Sequence, residues 1–430
     1  MNGGAPACVP RSEHPIPRRR IVDLLGRHFL FVVIVSYATI HLLHFRFSSP
    51  PFGEFYFWAG EGGSIASSIA QGKGFANPYP QMETGPSAWA APLFPYLLAA
   101  IFRAVGTKTV AAAYLGIVLQ CLLYAGTLWL LYRIVQRTFS TACARFATLI
   151  WLINPNRIGV TSKILSGVCL SILALLLAIL ALIHFKDNPT RRAAALAGLA
   201  LGFAVLSLPV MVLALPFYAY SLSTLARPRL DMARVAPIVA CAICIGVLVP
   251  WMVRNYVVFG KIIFIKSNLG QVLYTGNNPG GGYVDTYVYS SQHERELLHQ
   301  LGEIAYTRYS FDRALAWIRG HKTAYLERSI KRAVRFWVAN HATGVKRWVW
   351  SLYQVFLLVS AVVGIRRHWS RSPVTTLCFA ILLIVPSAYY LTGVFDPHRL
   401  RLPFEVLLTI FSSAALTAAH VEYDQAKQRP

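Results

Sequence analysis

The sequence predicts an all-α polytopic membrane protein, and two properties support this prediction. First, 56% of the 430 residues are hydrophobic and only 13% are charged, which is more apolar surface than a soluble core can bury. Second, several runs of about 17–24 residues carry almost no charge, and an α-helix needs about 20 apolar residues to cross a bilayer.

Ten apolar segments are predicted to form the membrane helices. They are Phe29–His44, Val110–Leu131, Phe139–Asn154, Ile164–Phe185, Ala193–Leu208, Val210–Leu225, Ala236–Met252, Val349–Ile365, Val374–Leu391 and Pro403–Ala419. The apolar stretch around Pro209 is too long for one crossing and contains prolines, so it is divided into two short helices.

The distribution of basic residues predicts the orientation of these helices. The net charge of +24 would suggest nucleic-acid binding in a soluble protein, but here Lys and Arg fall in the short connections between apolar runs. If those connections are cytoplasmic, ten helices place both termini inside the cell. The basic N-terminal region has no small-residue cleavage site after its apolar segment, so we expect that segment to remain as the first span.

The stretch Trp89–Arg103 is apolar enough to span, but a crossing there would invert every later loop. We therefore predict an interfacial or re-entrant helix, which Pro92 and Pro95 suit because proline is tolerated in the first turn. The alternative is an eleventh span, so the total is about 10–11 helices.

This topology divides the chain into five parts. They are a cytoplasmic tail (1–27), a transmembrane module (28–252) with an external first loop (46–108), an external segment (253–348), C-terminal transmembrane helices (349–420) and a cytoplasmic tail (421–430). Residues 253–348 are called the cap segment below. Function is expected in the external parts, which also include the turns Pro155–Lys163 and Phe395–Leu402.

The cap segment is predicted to be a small helical cap. It starts with turn-rich sequence around Gly276–Gly282 and continues with apolar residues at roughly helical spacing. These residues are Ala314, Ile318, Leu326, Ile330, Val334 and Trp337.

Several function classes find no support in the sequence. The chain has no internal repeat and no nucleotide-binding glycine loop, which argues against an ATP-driven transporter. Six of the seven cysteines lie in apolar runs, so they form no disulfide framework, and no cysteine pair faces a histidine cluster. No cofactor is therefore expected to be obligatory, although a divalent metal ion is possible.

The first external loop contains an uncommon arrangement of residues. From Glu61 to Pro95 it reads EGGSIASSIAQGKGFANPYPQMETGPSAWAAPLFP, with an acid, a short amphipathic helix, a glycine-punctuated turn and a proline-led apolar segment. It resembles the first external loop of GT-C glycosyltransferases, the class of the protein O-mannosyltransferases and of the bacterial transferase that adds aminoarabinose to lipid A. Two further stretches support the resemblance: PWMVRNYVVFGK with SNLGQVLYTGNNPG behind it, and DPHRLRLPFEVLL before the last helix.

The resemblance implies a GT-C fold and sugar transfer, usually with inversion, from a polyprenyl-phosphate sugar to a protein, lipid or glycan acceptor. It also implies an integral protein of the bacterial inner membrane whose active site faces the periplasm. One departure concerns the turn before the fourth helix, where many members carry a second acid and this chain has Asn154, Pro155, Asn156 and Arg157. A mechanism with two acids is therefore in doubt.

Two other functions remain open at this stage. A transporter or flippase for lipid-linked saccharides would use the outer arginines to hold a translocating headgroup. Such proteins usually show paired repeats or ionisable residues at mid-membrane, which these spans almost lack. A structural subunit of an envelope complex is the third alternative.

Glu61 is the candidate general base. A polyprenyl phosphate leaves as a stable anion, so one base for the acceptor hydroxyl can suffice, unlike in glycosidases, whose leaving alcohol needs a proton. Glycines beside Glu61 would let a substrate approach the backbone. Alternatively, Glu61 only caps a helix start, where acids are favoured. Glu83 is a candidate for contact with the acceptor, and Glu54 is expected to be a solvated loop residue.

Cations on the outer side are the candidates for the donor phosphate. Arg254, Arg399 and Arg401 lie at outer helix ends, against the positive-inside pattern, and arginine binds phosphate oxygens bidentately. Pairing with Asp396 or with lipid headgroups is the alternative. Lys163 is a further candidate for the phosphate, with a snorkelling anchor as the other interpretation.

Amide and imidazole side chains complete the candidate site. Asn255, Asn277 and Asn278 offer groups suited to sugar hydroxyls, while turn formation explains them equally simply. His398 could relay a proton or act as a structural hydrogen-bond partner.

Overall fold

A computed structural model describes residues 18–47, 57–80, 82–158, 165–227, 230–281, 287–338, 344–370, 372–393 and 396–427. Within these ranges the secondary structure is helical apart from loops, and β-pairing is limited to one isolated bridge between Ala76 and Pro86. The helices are α1 (Arg18–Phe47), α2 (Glu61–Ala70), α3 (Leu93–Val105), α4 (Val110–Thr138), α5 (Thr141–Leu152), α6 (Val168–Asp187), α7 (Arg191–Ser207), α8 (Leu215–Leu225), α9 (Leu230–Phe259), α10 (Leu269–Gly276), α11 (Gln292–Leu301), α12 (Glu303–Gly320), α13 (Lys322–Val338), α14 (Gly344–His368), α15 (Pro373–Ile384), α16 (Ser387–Thr392) and α17 (Pro397–Lys427).

Each of the ten predicted membrane segments overlaps helical residues, although Val210–Leu225 and Val374–Leu391 are each divided between two consecutive helices. Six described stretches are long and apolar enough to cross a bilayer: Val110–Thr138, Val168–Asp187, Asp231–Phe259, Gly344–His368, Pro373–Thr392 and Pro397–Ala418. Shorter apolar helices lie at His28–Leu43, Thr141–Leu152 and Pro209–Leu225, the last beginning with the 3-10 turn Pro209–Ala214. The chain is thus an integral membrane protein.

Helix α3 occupies most of the stretch Trp89–Arg103, which was predicted to be re-entrant or interfacial rather than a membrane span. It has 13 residues, a length of about 20 Å at 1.5 Å per residue, against about 30 Å of hydrocarbon. A re-entrant or interfacial position therefore stays the better prediction.

Glycines allow the spanning helices to pack closely. A Cβ at Gly198 of α7 would lie 2.3 Å from the carbonyl oxygen of Ala240 in α9, and one at Gly364 of α14 would lie 1.9 Å from that of Phe411 in α17. Small residues at such positions bring helix backbones together, which is the usual way to gain packing energy in a membrane.

The cap segment is helical, as predicted, but its details differ. Helix α9 continues to Phe259, and α14 begins at Gly344, so both intrude on the predicted boundaries. Helix α10 forms just before the turn-rich sequence, where no helix was predicted. The apolar pattern that the sequence analysis treated as one amphipathic stretch corresponds to two helices, α12 and α13, which are separated at His321.

Candidate active site

A cavity of about 320 Å³ lies where the first loop, the cap segment and the start of α17 meet. This volume is at the lower end of the range of small-molecule sites. Its charged and aromatic lining residues include Glu61 and Trp89 from the first loop, Lys266 and Tyr287 from the cap segment, and Tyr389 and Arg399 from the C-terminal helices. Three of the four segments predicted to be external thus contribute to one site.

Glu61 lies in the cavity wall because the chain folds sharply before α2. Ala59 and Gly60 have φ values of 69° and 58°, and Glu61 is the first residue of the helix. A Cβ at Gly63 would lie 1.6 Å from the carbonyl oxygen of Trp58, so this glycine is needed for the fold-back. Gly62 lines the cavity and so fits the predicted close approach of a substrate, whereas Gly63 has a packing reason.

The cap segment holds the carboxylate of Glu61. The hydroxyl of Tyr287 donates a hydrogen bond of 2.5 Å to Glu61 Oε1. This contact fixes the direction of the carboxylate and joins two segments that lie far apart in the sequence. Tyr287 was not a sequence candidate, because no motif distinguishes it from the neighbouring tyrosines.

Lys266 is the second charged or polar cavity residue that the sequence analysis did not identify. Its half-buried side chain lines the cavity and has no hydrogen-bond or ion-pair partner in the part of the chain that the structure describes. Burial lowers the pKa of Lys266, the negative charge of Glu61 raises it, and the positive charge of Arg399 lowers it further. The three charged groups therefore interact electrostatically across one cavity.

Arg399 reaches the cavity from the first turn of α17. The sequence Asp-Pro-His-Arg folds as a helix start, because the Asp396 carboxylate accepts a 3.1 Å bond from the Arg399 backbone N–H and Pro397 is the first helical residue. The guanidinium Nε lies 3.8 Å from Asp396 Oδ2. The predicted pairing with Asp396 is thus present, but it is long and leaves Arg399 in the cavity wall.

Arg401 does not line the cavity, in contrast to the prediction for it. It is completely buried, with Nε 2.5 Å from Glu405 Oε1 and Nη1 2.7 Å from the carbonyl oxygen of Phe336. Glu405 also accepts bonds of 2.8 Å from Asn154 and 2.7 Å from Asn156. Arg401 points into the bundle because a buried carboxylate there needs a cation.

Arg254 also lies outside the cavity lining, where it clamps the first loop. Its Nη1 donates to the carbonyl oxygen of Ser87 at 2.7 Å and its Nη2 donates to that of Phe75 at 2.9 Å. Ser87 and Phe75 are themselves joined by a 2.9 Å backbone bond. One arginine at the end of α9 thus fixes both sides of the loop that carries Trp89.

Glu303 provides a second clamp for the same wall. Its Oε1 accepts from the backbone N–H of Ala88 at 2.7 Å and from the hydroxyl of Ser267 at 2.6 Å. Burial raises the pKa of Glu303, although these hydrogen bonds and Arg254 oppose the shift. Ala88 immediately precedes Trp89, and Ser267 immediately follows Lys266. By bonding to both, Glu303 holds together the two backbone segments that carry these cavity residues.

The three candidate asparagines are buried and take part in backbone bonds outside the cavity lining. Asn255 donates to the carbonyl oxygen of Ile263, Asn277 to those of Leu273 and Thr392, and Asn278 to those of Tyr274 and Thr275. Each terminates or braces a helix end, so turn formation explains them better than sugar binding.

The remaining candidates also lie elsewhere. Glu83 is exposed and pairs with Lys73 at 3.0 Å, and His398 is buried near the ring of Trp350. Lys163 lies outside the described residues. Within those ranges no group of three or more His, Cys, Asp or Glu side chains could hold a metal ion.

Solved structures with similar folds are found among membrane glycosyltransferases. The archaeal oligosaccharyltransferase AglB from Archaeoglobus fulgidus, in complex with an inhibitory peptide and a dolichol-phosphate, matches with a TM-score of 0.55 and 13% identity, over 94% of this chain and 52% of that one. The Archaeoglobus fulgidus oligosaccharyltransferase tethered with an acceptor peptide containing the NVT sequon matches with a TM-score of 0.55 and 14% identity, over 93% and 50%. This chain thus spans about half the length of these structures.

A family comparison agrees with this fold. The sequence model described as dolichyl-phosphate-mannose-protein mannosyltransferase matches residues 89–253, and no curated protein matches the chain. The fold class predicted from the sequence is confirmed, and so is the resemblance to GT-C glycosyltransferases. The family match begins at Trp89 and ends before Lys266, so the charged cavity residues lie outside it.

Proposed function

We propose that this GT-C chain is a glycosyltransferase that moves a sugar from a polyprenyl-phosphate donor to an acceptor. One observation carries the proposal: a carboxylate, Glu61, and two cations, Lys266 and Arg399, line the same cavity. The reaction needs these groups, because one partner loses a proton while the other leaves as a phosphate anion.

Glu61 is the general base in this mechanism. Its carboxylate takes the proton of the acceptor hydroxyl as the acceptor oxygen bonds to C1 of the sugar. The bond between C1 and the phosphate oxygen breaks, and its electron pair leaves with the polyprenyl phosphate. Tyr287 occupies Oε1, so Oε2 is assigned to receive the proton. Attack on the face opposite the leaving phosphate inverts the configuration at C1.

Lys266 and Arg399 stabilise the leaving phosphate. Arginine offers a bidentate fork and lysine a compact charge, so together they can neutralise the negative charge that develops on the phosphate oxygens. The apolar part of the cavity lining suits the first units of the lipid chain; it includes Phe94, Pro95, Leu170, Leu208 and Val272. Charge for the phosphate and apolar surface for the lipid thus lie side by side.

The location of the site follows from the predicted topology. With basic connections in the cytoplasm, both termini are cytoplasmic and the cavity opens at the external face, which is the periplasmic face in a bacterial inner membrane. Among proteins of this fold, a solved structure of AglB is in complex with a dolichol-phosphate, which supports a polyprenyl-phosphate donor. The cap segment is the proposed surface for the acceptor.

The test is transfer by the purified protein in nanodiscs, with radiolabelled polyprenyl-phosphate sugars as donors and a membrane extract as acceptor. Glu61→Gln keeps the size of the side chain and removes the base, so transfer should fall by about 100-fold or more while donor binding persists. Glu83→Gln is the matched control, because this acid lies in the same loop but is exposed and paired with Lys73.

Undiminished turnover in Glu61→Gln would refute the assignment of the base. The wild-type protein could instead fail to release polyprenyl phosphate from any donor while moving lipid-linked saccharides across proteoliposome membranes. That result would favour the transporter hypothesis over the transferase hypothesis.

A further inference from the structure

Helix α13 has three distinct faces, and one of them is an exposed apolar stripe. Its four residues follow one another at intervals of four: Leu326, Ile330, Val334 and Val338, with 60%, 57%, 57% and 51% of their surface exposed. From the sequence, Leu326, Ile330 and Val334 were identified only as apolar residues at helical spacing. In the structure the core-facing side of α13 is a different one.

The inward face of α13 is occupied by other residues. Phe336 is buried among the rings of Tyr389, Tyr390 and Phe404, at centroid distances of 5.6–5.9 Å. Arg332 donates to the carbonyl oxygen of Gly276 at 2.9 Å. The helix is thus fixed to the C-terminal helices by one side, and the apolar stripe cannot turn inward.

The third face of α13 is charged. Its exposed side chains are Glu327, Lys331 and Arg335, so two bases accompany one acid, and Glu327 pairs with Lys331 in solvent. Lys322 lies four residues before Leu326, at the start of the apolar stripe. A helix with an apolar stripe beside a basic face has the pattern of helices that lie in the plane of a membrane surface.

A candidate membrane span follows α13 in the sequence. After residues 339–343, which the structure does not describe, α14 begins with Val345, Trp348 and Leu352, with 80%, 72% and 68% of their surface exposed. Helix α14 is long and apolar enough to cross a bilayer, so we expect these exposed side chains to face lipid. A tryptophan at the start of a span is typical of the interface between headgroups and hydrocarbon.

We propose that α13 lies in the headgroup region of the bilayer leaflet on the cap side, with the stripe of Leu326, Ile330, Val334 and Val338 in the lipid and Lys331 and Arg335 at anionic headgroups. A lipid surface is favoured over a protein partner because the stripe is aliphatic and a candidate membrane span follows it in the sequence, whereas protein interfaces are enriched in aromatic residues.

Spin labels on the full-length protein test this placement. Ile330→Cys and Val334→Cys carry the label on the stripe, and Lys331→Cys carries it on the charged face of the same helical turn. In nanodiscs with phosphatidylglycerol, the stripe labels should collide mainly with oxygen, at a depth of about 5–10 Å, and the label at Lys331 mainly with an aqueous nickel chelate. Labelled wild type corrects for the native cysteines.

Two results would overturn the placement. Equal access of the nickel chelate to labels at Ile330 and Lys331 means that the stripe faces water. Exclusion of both oxygen and the chelate from Ile330 means that a protein, such as a second copy of the chain, covers it.

The anionic contact has its own comparison. In phosphatidylglycerol discs, the label at Ile330 should lie at a shallower depth when Lys331 and Arg335 are both changed to Gln. In discs of phosphatidylcholine alone, these changes should not alter the depth of the label. High salt should reduce the difference in depth between the parent protein and the Gln variant. The same depth in both lipids for the parent protein would refute the role of anionic headgroups.

Discussion

Arg399 and Arg401 are separated by one residue of α17, yet they belong to two different polar regions. Arg399 lines the cavity with Glu61 and Lys266, and its Nε lies 3.8 Å from Oδ2 of Asp396. Arg401 is completely buried and bonded to Glu405, which two asparagines also contact. The charged groups of the first region line a cavity, whereas those of the second region are bonded to one another within the protein.

The difference shows that the position of a cation along the chain does not decide its role. Both arginines lie at the same helix end, so a sequence argument treats them alike. Their roles diverge because successive residues of a helix point in different directions, and only one direction meets a buried acid.

The sharpest test of this comparison is the stability of two alanine variants. Arg401→Ala leaves Glu405 buried without its cation and should lower the free energy of unfolding by about 3–5 kcal/mol. Arg399→Ala should change it little, since its side chain is partly exposed and its ion pair is long. Thermal unfolding in detergent measures both, and equal losses would show that the two regions do not differ in this way.

Removal of the cavity lysine should affect the donor rather than the fold. Lys266→Ala loses a charge-assisted contact to phosphate worth about 1.5–3 kcal/mol, so donor affinity should fall by about 10-fold to 100-fold. Lys261→Ala is the control, because this lysine is exposed outside the cavity. Titration with a polyprenyl phosphate measures the affinity, and equal values for the two variants would exclude Lys266 from the phosphate site.

The lowered pKa of Lys266 predicts a change with pH. Lys266 binds phosphate only while protonated, and because its pKa is below the ordinary lysine value, donor affinity should decline at a lower pH than with an exposed lysine. Lys266→Arg keeps its charge throughout and should bind equally over that range. Affinity measured from neutral to alkaline pH tests this, and the same decline in both proteins would point to another group.

The smallest effects are expected at Glu303. Glu303→Ala removes the acceptor for Ala88 and Ser267 and should cost about 1–3 kcal/mol, whereas Glu303→Gln keeps a carbonyl oxygen there and should cost less. Since burial raises its pKa, Glu303 contributes stability that is complete below the unfolded-state pKa and is lost as pH rises through the folded-state value. The stability of Glu303→Gln relative to wild type should therefore increase with pH, as unfolding at several pH values would show.

The sequence predicts the helices well and the site only in part. All ten predicted apolar segments overlap helices, and six stretches of the described chain are long and apolar enough to cross a bilayer. Glu61 and Arg399, both identified at helix starts, line the cavity. The sequence makes Asn277 a candidate for binding sugar hydroxyls, and only the fold shows that its amide is bonded to a backbone carbonyl. Lys266 and Tyr287 belong to no motif, since their roles arise from contacts with segments far away in the chain.

The clamp at Glu303 has a consequence for the synthesis of the protein. The cavity wall near Trp89 is fixed by a residue of the cap segment, and the cavity is closed by Arg399 near the end of the chain. Because a chain emerges from its N-terminus, Glu61 enters the membrane environment long before its partners exist. A growing chain therefore contains Glu61 before the other walls of the cavity exist, and the cavity is complete only after α17 has been synthesised.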